Sequence, residues 1–147
     1  MLVLADGGES SWRSKLGLSW RQESFEQTAL ISTILTQGTP AERAWERFTE
    51  SGPLALLPLG TNRRSVVWSL RHAEAEQASA WGHDQFLERL QHAFGYRAGR
   101  FMQAGSRELY PLFLRQTQDL GHHRLLVLGN AAQQLHPVAG QGFNLGL

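Results

Sequence analysis

RLLVLGNAAQQLHPVAGQGFNLGL, residues Arg124 to Leu147, decides how the rest of the chain is read. It opens with an apolar run, Leu125-Leu126-Val127-Leu128, of the length of a buried strand. Gly129 ends the run, and Asn130, Ala131 and Ala132 are small enough to let the backbone approach a partner closely. The loop from His136 to Gly142 follows, and a helix is expected to start near Phe143. A strand, a small-residue turn, a Gly-rich loop and a helix start together describe a ligand site lined by backbone. Amides at a helix N-terminus lack partners, and the helix dipole favours negative charge there.

The residues Gly129-Asn130-Ala131-Ala132-Gln133, His136-Pro137, Gly140-Gln141-Gly142 and Asn144 resemble the second flavin motif of the single-component aromatic hydroxylases, G-D-A-A-H-x-x-x-P-x-x-G-Q-G-x-N. Asn130 stands for the usual Asp and Gln133 for the usual His. Both departures, with Leu135-His136-Pro137, resemble the ubiquinone-pathway branch of that family, the 2-polyprenyl-6-methoxyphenol hydroxylases. A second match lies near the start. Met1 to Ala5 is an apolar strand candidate, and Asp6-Gly7-x-x-Ser10-x-x-Arg13 follows it at once. Asp-Gly after a strand is by itself an ordinary turn. Its spacing to Ser10 and Arg13 also resembles the D-G-x-x-S-x-x-R motif of the same hydroxylases.

Composition bounds the answer without choosing it. A chain of 147 residues with 41% hydrophobic and 18% charged residues is globular in character. Fourteen basic residues face 13 acidic ones, and the arginines are scattered, so there is no electrostatic case for nucleic acid. No apolar run approaches the roughly 20 residues needed to cross a bilayer. Without cysteine, disulfides and thiolate metal sites are excluded. Six histidines invite a metal reading, but no ligand spacing such as H-E-x-x-H occurs. The nucleophile elbow G-x-S-x-G of a hydrolase is missing too.

Between the motifs, Ser10 is placed to cap a short helix that Gly17 ends. Glu26 to Thr36 favours a strand, and Gln37 to Pro40 a turn. Ala41, Ala44, Trp45 and Phe48 fall at helical spacing, whereas the resemblance implies a strand there, and the strand is the expectation. Leu54 to Leu59 and Ser65 to Leu70 make a hairpin about Gly60 to Arg63. Glu74 to Trp81 and Asp84 to Phe94 are expected helices, the second capped by Asp84 and closed by Gly95. The stripe Phe86, Leu87, Leu90 and Phe94 suits a core. Arg107 to Arg115 is an expected strand with Pro111 marking an edge or bend, and Tyr110-Pro111-Leu112 resembles the [FY]-P-L segment of the family. Gly121 to His123 is an expected turn.

The resemblance implies an α/β fold, mixed α+β, of the FAD/NAD(P)-binding aromatic-hydroxylase type, with a mixed-sheet substrate domain. It divides the chain into flavin-domain segments at 1–18 and 118–147 around a substrate sheet at 19–117. The implied cofactor-binding residues are Asp6, Gly7, Ser10, Arg13, Gly129, Asn130, Ala131, Pro137, Gly140, Gln141, Gly142 and Asn144. Asp6 and Arg13 would serve phosphate and ribose, Asn130 the ribityl chain, and the Pro137–Gly142 amides the flavin's pyrimidine edge. Side chains at positions 140 and 142 would block that approach. No side chain of the chain is assigned a catalytic role, because in such enzymes the cofactor carries the difficult chemistry.

The implied whole protein uses FAD, takes NAD(P)H as co-substrate and, with molecular oxygen, hydroxylates a prenylated phenol. It would work in the cytoplasm at the periphery of the inner membrane, within a ubiquinone-biosynthesis complex. The expected first flavin motif, G-x-G-x-x-G, does not occur, so the chain is expected to be an internal fragment that holds flavin poorly by itself. Two other readings stay open. One is a hydroxylase of another aromatic compound; the other is a non-catalytic module binding a lipid or partner.

Overall fold

The computed structural model describes residues 1–38, 42–142 and 144, and at Ala139 the backbone alone. In chain order the elements are β1 (Leu2–Leu4), α1 (Ser11–Lys15), β2 (Trp20–Gln37), β3 (Trp45–Thr49), β4 (Gly52–Pro58), β5 (Arg63–Arg71), α2 (His72–Ala80), α3 (His83–Phe94), β6 (Arg100–Ala104), β7 (Glu108–Thr117), β8 (Gly121–His122), β9 (Leu125–Val127) and β10 (Gln133–Gln134). Single 3-10 turns lie at Gly129–Ala131 and Val138–Gly140. The chain forms two units, one of residues 1–25 with 112–147, the other of residues 26–111. Both divisions fall inside strands, β2 and β7.

In the unit of residues 26–111, the strands run antiparallel in the order β2-β5-β4-β3, and β6 also pairs with β2. Alternation explains β2: Leu30, Ser32, Ile34 and Thr36 are buried, while Ile31, Thr33 and Leu35 between them are only partly so. α3 buries Phe86, Leu90 and Phe94, one residue every four, in a cluster with Leu30, Ile34, Leu54, Leu56 and Val66. Each such side chain contributes roughly 1.5–3 kcal/mol of transfer free energy. Gly95 ends α3 with φ +82°, its N–H reaching the Gln91 carbonyl at 2.7 Å. Arg47 of β3 donates to the Phe94 carbonyl at 2.7 Å, satisfying another group at the same helix end.

The other unit holds a small sheet of order β1-β9-β8, with β1 parallel to β9 and Leu2, Val3 and Leu4 opposite Leu125, Leu126 and Val127. Leu4 and Val127 point into a core with Leu18, Ala131 and Ala132. Val3 and Leu126 are exposed on the other face. Further along, β10 pairs antiparallel with the end of β7, Gln133 opposite Gln116 and Gln134 opposite Arg115.

Several local expectations need correction. The helical stripe from Ala41 to Phe48 does not form; β3 lies there, as the resemblance implied, and Ala41 itself lies outside the described residues. Ser10 occupies the cap position of α1 as expected, but its side chain makes no cap hydrogen bond and its hydroxyl donates to Asp6 Oδ2 at 2.6 Å. Gly82, not Asp84, occupies the cap position of α3, which leaves Asp84 in the first turn where its charge favours the helix dipole. α2 begins at His72, two residues earlier than its pattern suggests, with the Arg71 N–H donating to Glu74 Oε2 at 3.3 Å. Gly121 and His122 form a strand, and the chain reverses at His123–Arg124, where Arg124 takes φ +61°. Thr39 and Pro40 of the expected turn, and the expected helix start at Phe143, lie outside the described residues. Among those described, no helix is long and apolar enough to cross a membrane.

Candidate functional site

Arg13 connects the two motifs. Its side chain is buried, and one terminal nitrogen donates to Thr117 Oγ1 and the other to the Ala131 carbonyl. Its guanidinium carbon lies 3.5 Å from the centroid of the Trp20 ring, close enough for a cation–π contact. Burial pushes the Arg13 pKa down, and nearby Asp6 opposes that shift. The structure gives Arg13 a task within the protein, tying Thr117 and Ala131 together. Both terminal nitrogens are engaged inside the protein, and only Nε is left without a partner.

A second arginine performs a similar service on the other side of the Asp-Gly segment. Arg115 Nε donates to Gln22 Oε1 at 2.8 Å, and its Nη1 pairs with Glu9 and also reaches Gln134 Oε1 at 3.2 Å. The Gln134 side chain lies where a Cβ on Gly8 would project, so glycine at that position makes room for it. Glu9 and Gly8 belong to the Asp-Gly segment, and Gln134 to the second motif. Thr117 closes the arrangement through its N–H, which donates to the Ala132 carbonyl at 2.8 Å.

Beyond β10 the chain enters the loop. Pro137 has no amide hydrogen to give, and Val138 supplies the first N–H of the 3-10 turn Val138–Gly140. His136 Nδ1 accepts that N–H at 3.1 Å. The His136 ring meets Phe25 edge-on, with centroids 4.9 Å apart and planes at 88°. Burial pushes the His136 pKa below the ordinary imidazole value. At the loop's end Asn144 Nδ2 donates to Gln141 Oε1 at 2.9 Å.

The glycines test whether the loop suits a bound group. Gly129 and Gly140 both take φ +59°, a conformation that side chains resist. Gly142 has no such backbone demand, and a Cβ there would meet no protein atom within 4 Å. Among the described residues, neither strain nor packing requires glycine at 142, and its backbone is open to close approach. The bare backbone at Gly142 is the part of the loop that fits a flavin, while the Gly140 N–H is held by the Pro137 carbonyl at 3.1 Å.

Six of the twelve expected residues meet in three pairs. Arg13 and Ala131 meet directly; Asp6 and Ser10 hold each other; Gln141 and Asn144 hold each other. Gly7, with φ +92°, makes the turn after β1, while Asn130 and Pro137 are exposed. Arg115, Thr117, Gln134, Trp20 and Phe25 escaped the sequence reading. Arg115, Thr117, Gln134 and Phe25 pair with residues roughly a hundred positions away, which no local signal reports, and Trp20 works by stacking under Arg13.

The class of protein follows from the family to which the sequence belongs. The sequence pattern of the FAD binding domain family matches residues 1–147, and the chain belongs to that family. It is 36% identical over its whole length to ubiquinone hydroxylase UbiL of Rhodospirillum rubrum, covering 34% of that protein. It is 31% identical to human mitochondrial ubiquinone biosynthesis monooxygenase COQ6, with 99% of this chain and 38% of that protein covered. The chain thus spans about a third of the length of the curated relatives it matches. Among solved structures, Pseudomonas aeruginosa PqsL in complex with 2-aminobenzoylacetate aligns with a TM-score of 0.75 at 23% identity, over 98% of this chain and 41% of PqsL. That likeness establishes the fold, which is the mixed α/β fold of the aromatic-hydroxylase type.

Proposed function

We propose that this chain belongs to an FAD-dependent monooxygenase that uses NAD(P)H and molecular oxygen to hydroxylate a prenylated phenol in ubiquinone biosynthesis. The observation that carries this reading is the Arg13 anchor. One buried side chain joins the Asp-Gly motif to the second flavin motif, in a chain that matches the FAD binding domain family throughout. The choice of a ubiquinone precursor rests on the names borne by the relatives above and on Asn130 and Gln133 at the two variable motif positions.

FAD, once bound and reduced, supplies the oxygen-transfer chemistry, and the protein has only to bind it, orient it and exclude water. Asn130 is exposed and can both accept from and donate to ribityl hydroxyls, as the usual Asp can only accept. The Gly140 N–H is taken by the Pro137 carbonyl, and the amides that follow it, at Gln141 and Gly142, would stabilise negative charge at the flavin's pyrimidine edge. Asp6, Gly7 and Ser10 form the turn assigned to the nucleotide end. Arg13 would keep that turn in place rather than touch the cofactor. Residues 26–111 would present the substrate-facing sheet, and the flavin-domain segments would lie on either side of it in sequence. A hydrophobic prenylated substrate further suggests work in the cytoplasm, peripheral to the inner membrane.

The test uses the full-length protein, purified with FAD. Oxidation of NAD(P)H should be stimulated by a prenylated phenol, with one oxygen atom gained by the product. Equal stimulation by phenols without the tail would replace the substrate by another aromatic compound. A protein that folds cooperatively and never binds flavin would make it a non-catalytic module.

A further inference from the structure

His136 sits immediately before the loop assigned to the flavin, and its contacts define its chemical state. The Val138 N–H points at Nδ1, so that nitrogen must carry a lone pair. A neutral ring then bears its hydrogen on Nε2. Burial favours this neutral form. Phe25, edge-on at 4.9 Å, fixes the plane of the ring from β2.

The hydrogen bond has a specific structural consequence. At the start of a helical turn the first amides have no carbonyl behind them and require an outside acceptor. Pro137 removes one of those donors, so Val138 carries the first, and the side chain two residues earlier accepts it. Asn and Asp commonly perform this service with a side-chain oxygen. Here an imidazole nitrogen does so, and Phe25 holds that nitrogen in register.

We propose that His136 is the positioning residue of the Pro137–Gly142 loop, acting as a neutral Nε2–H imidazole whose Nδ1 caps the Val138 amide and thereby fixes how the backbone at the end of that loop is presented to the flavin. This inference rests on the assignment of that loop to FAD. It adds a residue that touches no reacting atom and acts through the backbone.

Three substitutions in the full-length protein separate the acceptor from the ring. His136→Asn keeps an acceptor at nearly the position of Nδ1; His136→Phe keeps a ring against Phe25 but no acceptor; His136→Ala keeps neither. The readout is FAD affinity by flavin fluorescence, beside the thermal midpoint of each apoprotein. The Asn variant should bind FAD nearly as wild type does. The Phe and Ala variants should bind roughly three- to tenfold more weakly, the loss expected from one hydrogen bond. Wild-type affinity in the Phe variant, or equal losses in Asn and Phe, would overturn the proposal. If the wild-type protein itself binds no FAD, the assignment of the loop fails instead, which is a separate result.

Discussion

The guanidinium of Arg13 donates to the carbonyl of Ala131, 118 positions further along the chain. In this way a segment at the start of the chain and the motif near its end share one buried contact. The same guanidinium holds Thr117 and stacks on Trp20. A conservative replacement cannot reproduce that geometry, because an ammonium lacks the planar fork and the stacking face. Arg13→Lys is therefore expected to cost about 2–4 kcal/mol of stability, the scale of losing charge-assisted hydrogen bonds in a buried site. Denaturant unfolding of the full-length protein would measure it. A loss under half a kilocalorie would return Arg13 to the surface role expected from the motif.

Gly8 and Gln134 offer a narrower test. A Cβ on residue 8 would occupy the place of the Gln134 amide, and the Gln134 side chain would have to turn away from Arg115. Gly8→Ala should then cost about 0.5–1.5 kcal/mol, one hydrogen bond. In a Gln134→Ala background the obstacle is gone, and the same substitution should cost almost nothing. Additive effects in this double-mutant cycle would mean that the two residues do not compete for the same space.

These contacts also explain which parts of the fold were legible in the sequence. β9 was readable because its apolar run is continuous, and β4, β5 and α3 because their periods and flanking turns are local. β6 was missed: Arg100 to Ala104 mixes polar and apolar residues, and it is a strand because β2 offers it an edge. Gln91 helps deliver it there, since its side chain receives the Phe101 N–H at 2.8 Å and donates to the Gly95 carbonyl at 2.7 Å. The start of β2 was placed too late because Trp20 to Phe25 is mostly polar, and Glu26 takes φ +54° within the strand. At the site, the motif gave the positions of both segments and no sign of the buried contact between them. Spacing reports where Arg13 lies in the chain. It does not report that Thr117 and Ala131 fold over it.

Acid should act on the loop through His136. Its folded pKa lies below the ordinary value of about 6.5 because burial disfavours the charged ring. The folded state thus binds a proton less readily than the unfolded chain. The stability that the neutral ring contributes is complete above the unfolded pKa and is lost as pH falls through the folded one. Protonation of Nδ1 would also remove the acceptor for Val138. FAD affinity of the full-length wild type should therefore fall more steeply on acidification below about pH 6.5 than that of His136→Asn. Identical acid slopes in the two proteins would assign the titration to another group.

Gly140 and Gly142 should respond in opposite ways to the same added methyl group. At Gly140, φ +59° makes alanine strained, and about 1–2 kcal/mol of stability should be lost whether or not flavin is bound. At Gly142 there is no strain and no neighbouring protein atom within 4 Å, so Gly142→Ala should leave the thermal midpoint of the apoprotein unchanged. If the bare backbone there exists for the cofactor, the same variant should nonetheless bind FAD markedly more weakly and lose part of the stabilisation that FAD gives the wild type. The comparison needs only melting curves with and without FAD for the two full-length variants. Unchanged FAD stabilisation in Gly142→Ala would remove that glycine from the flavin site.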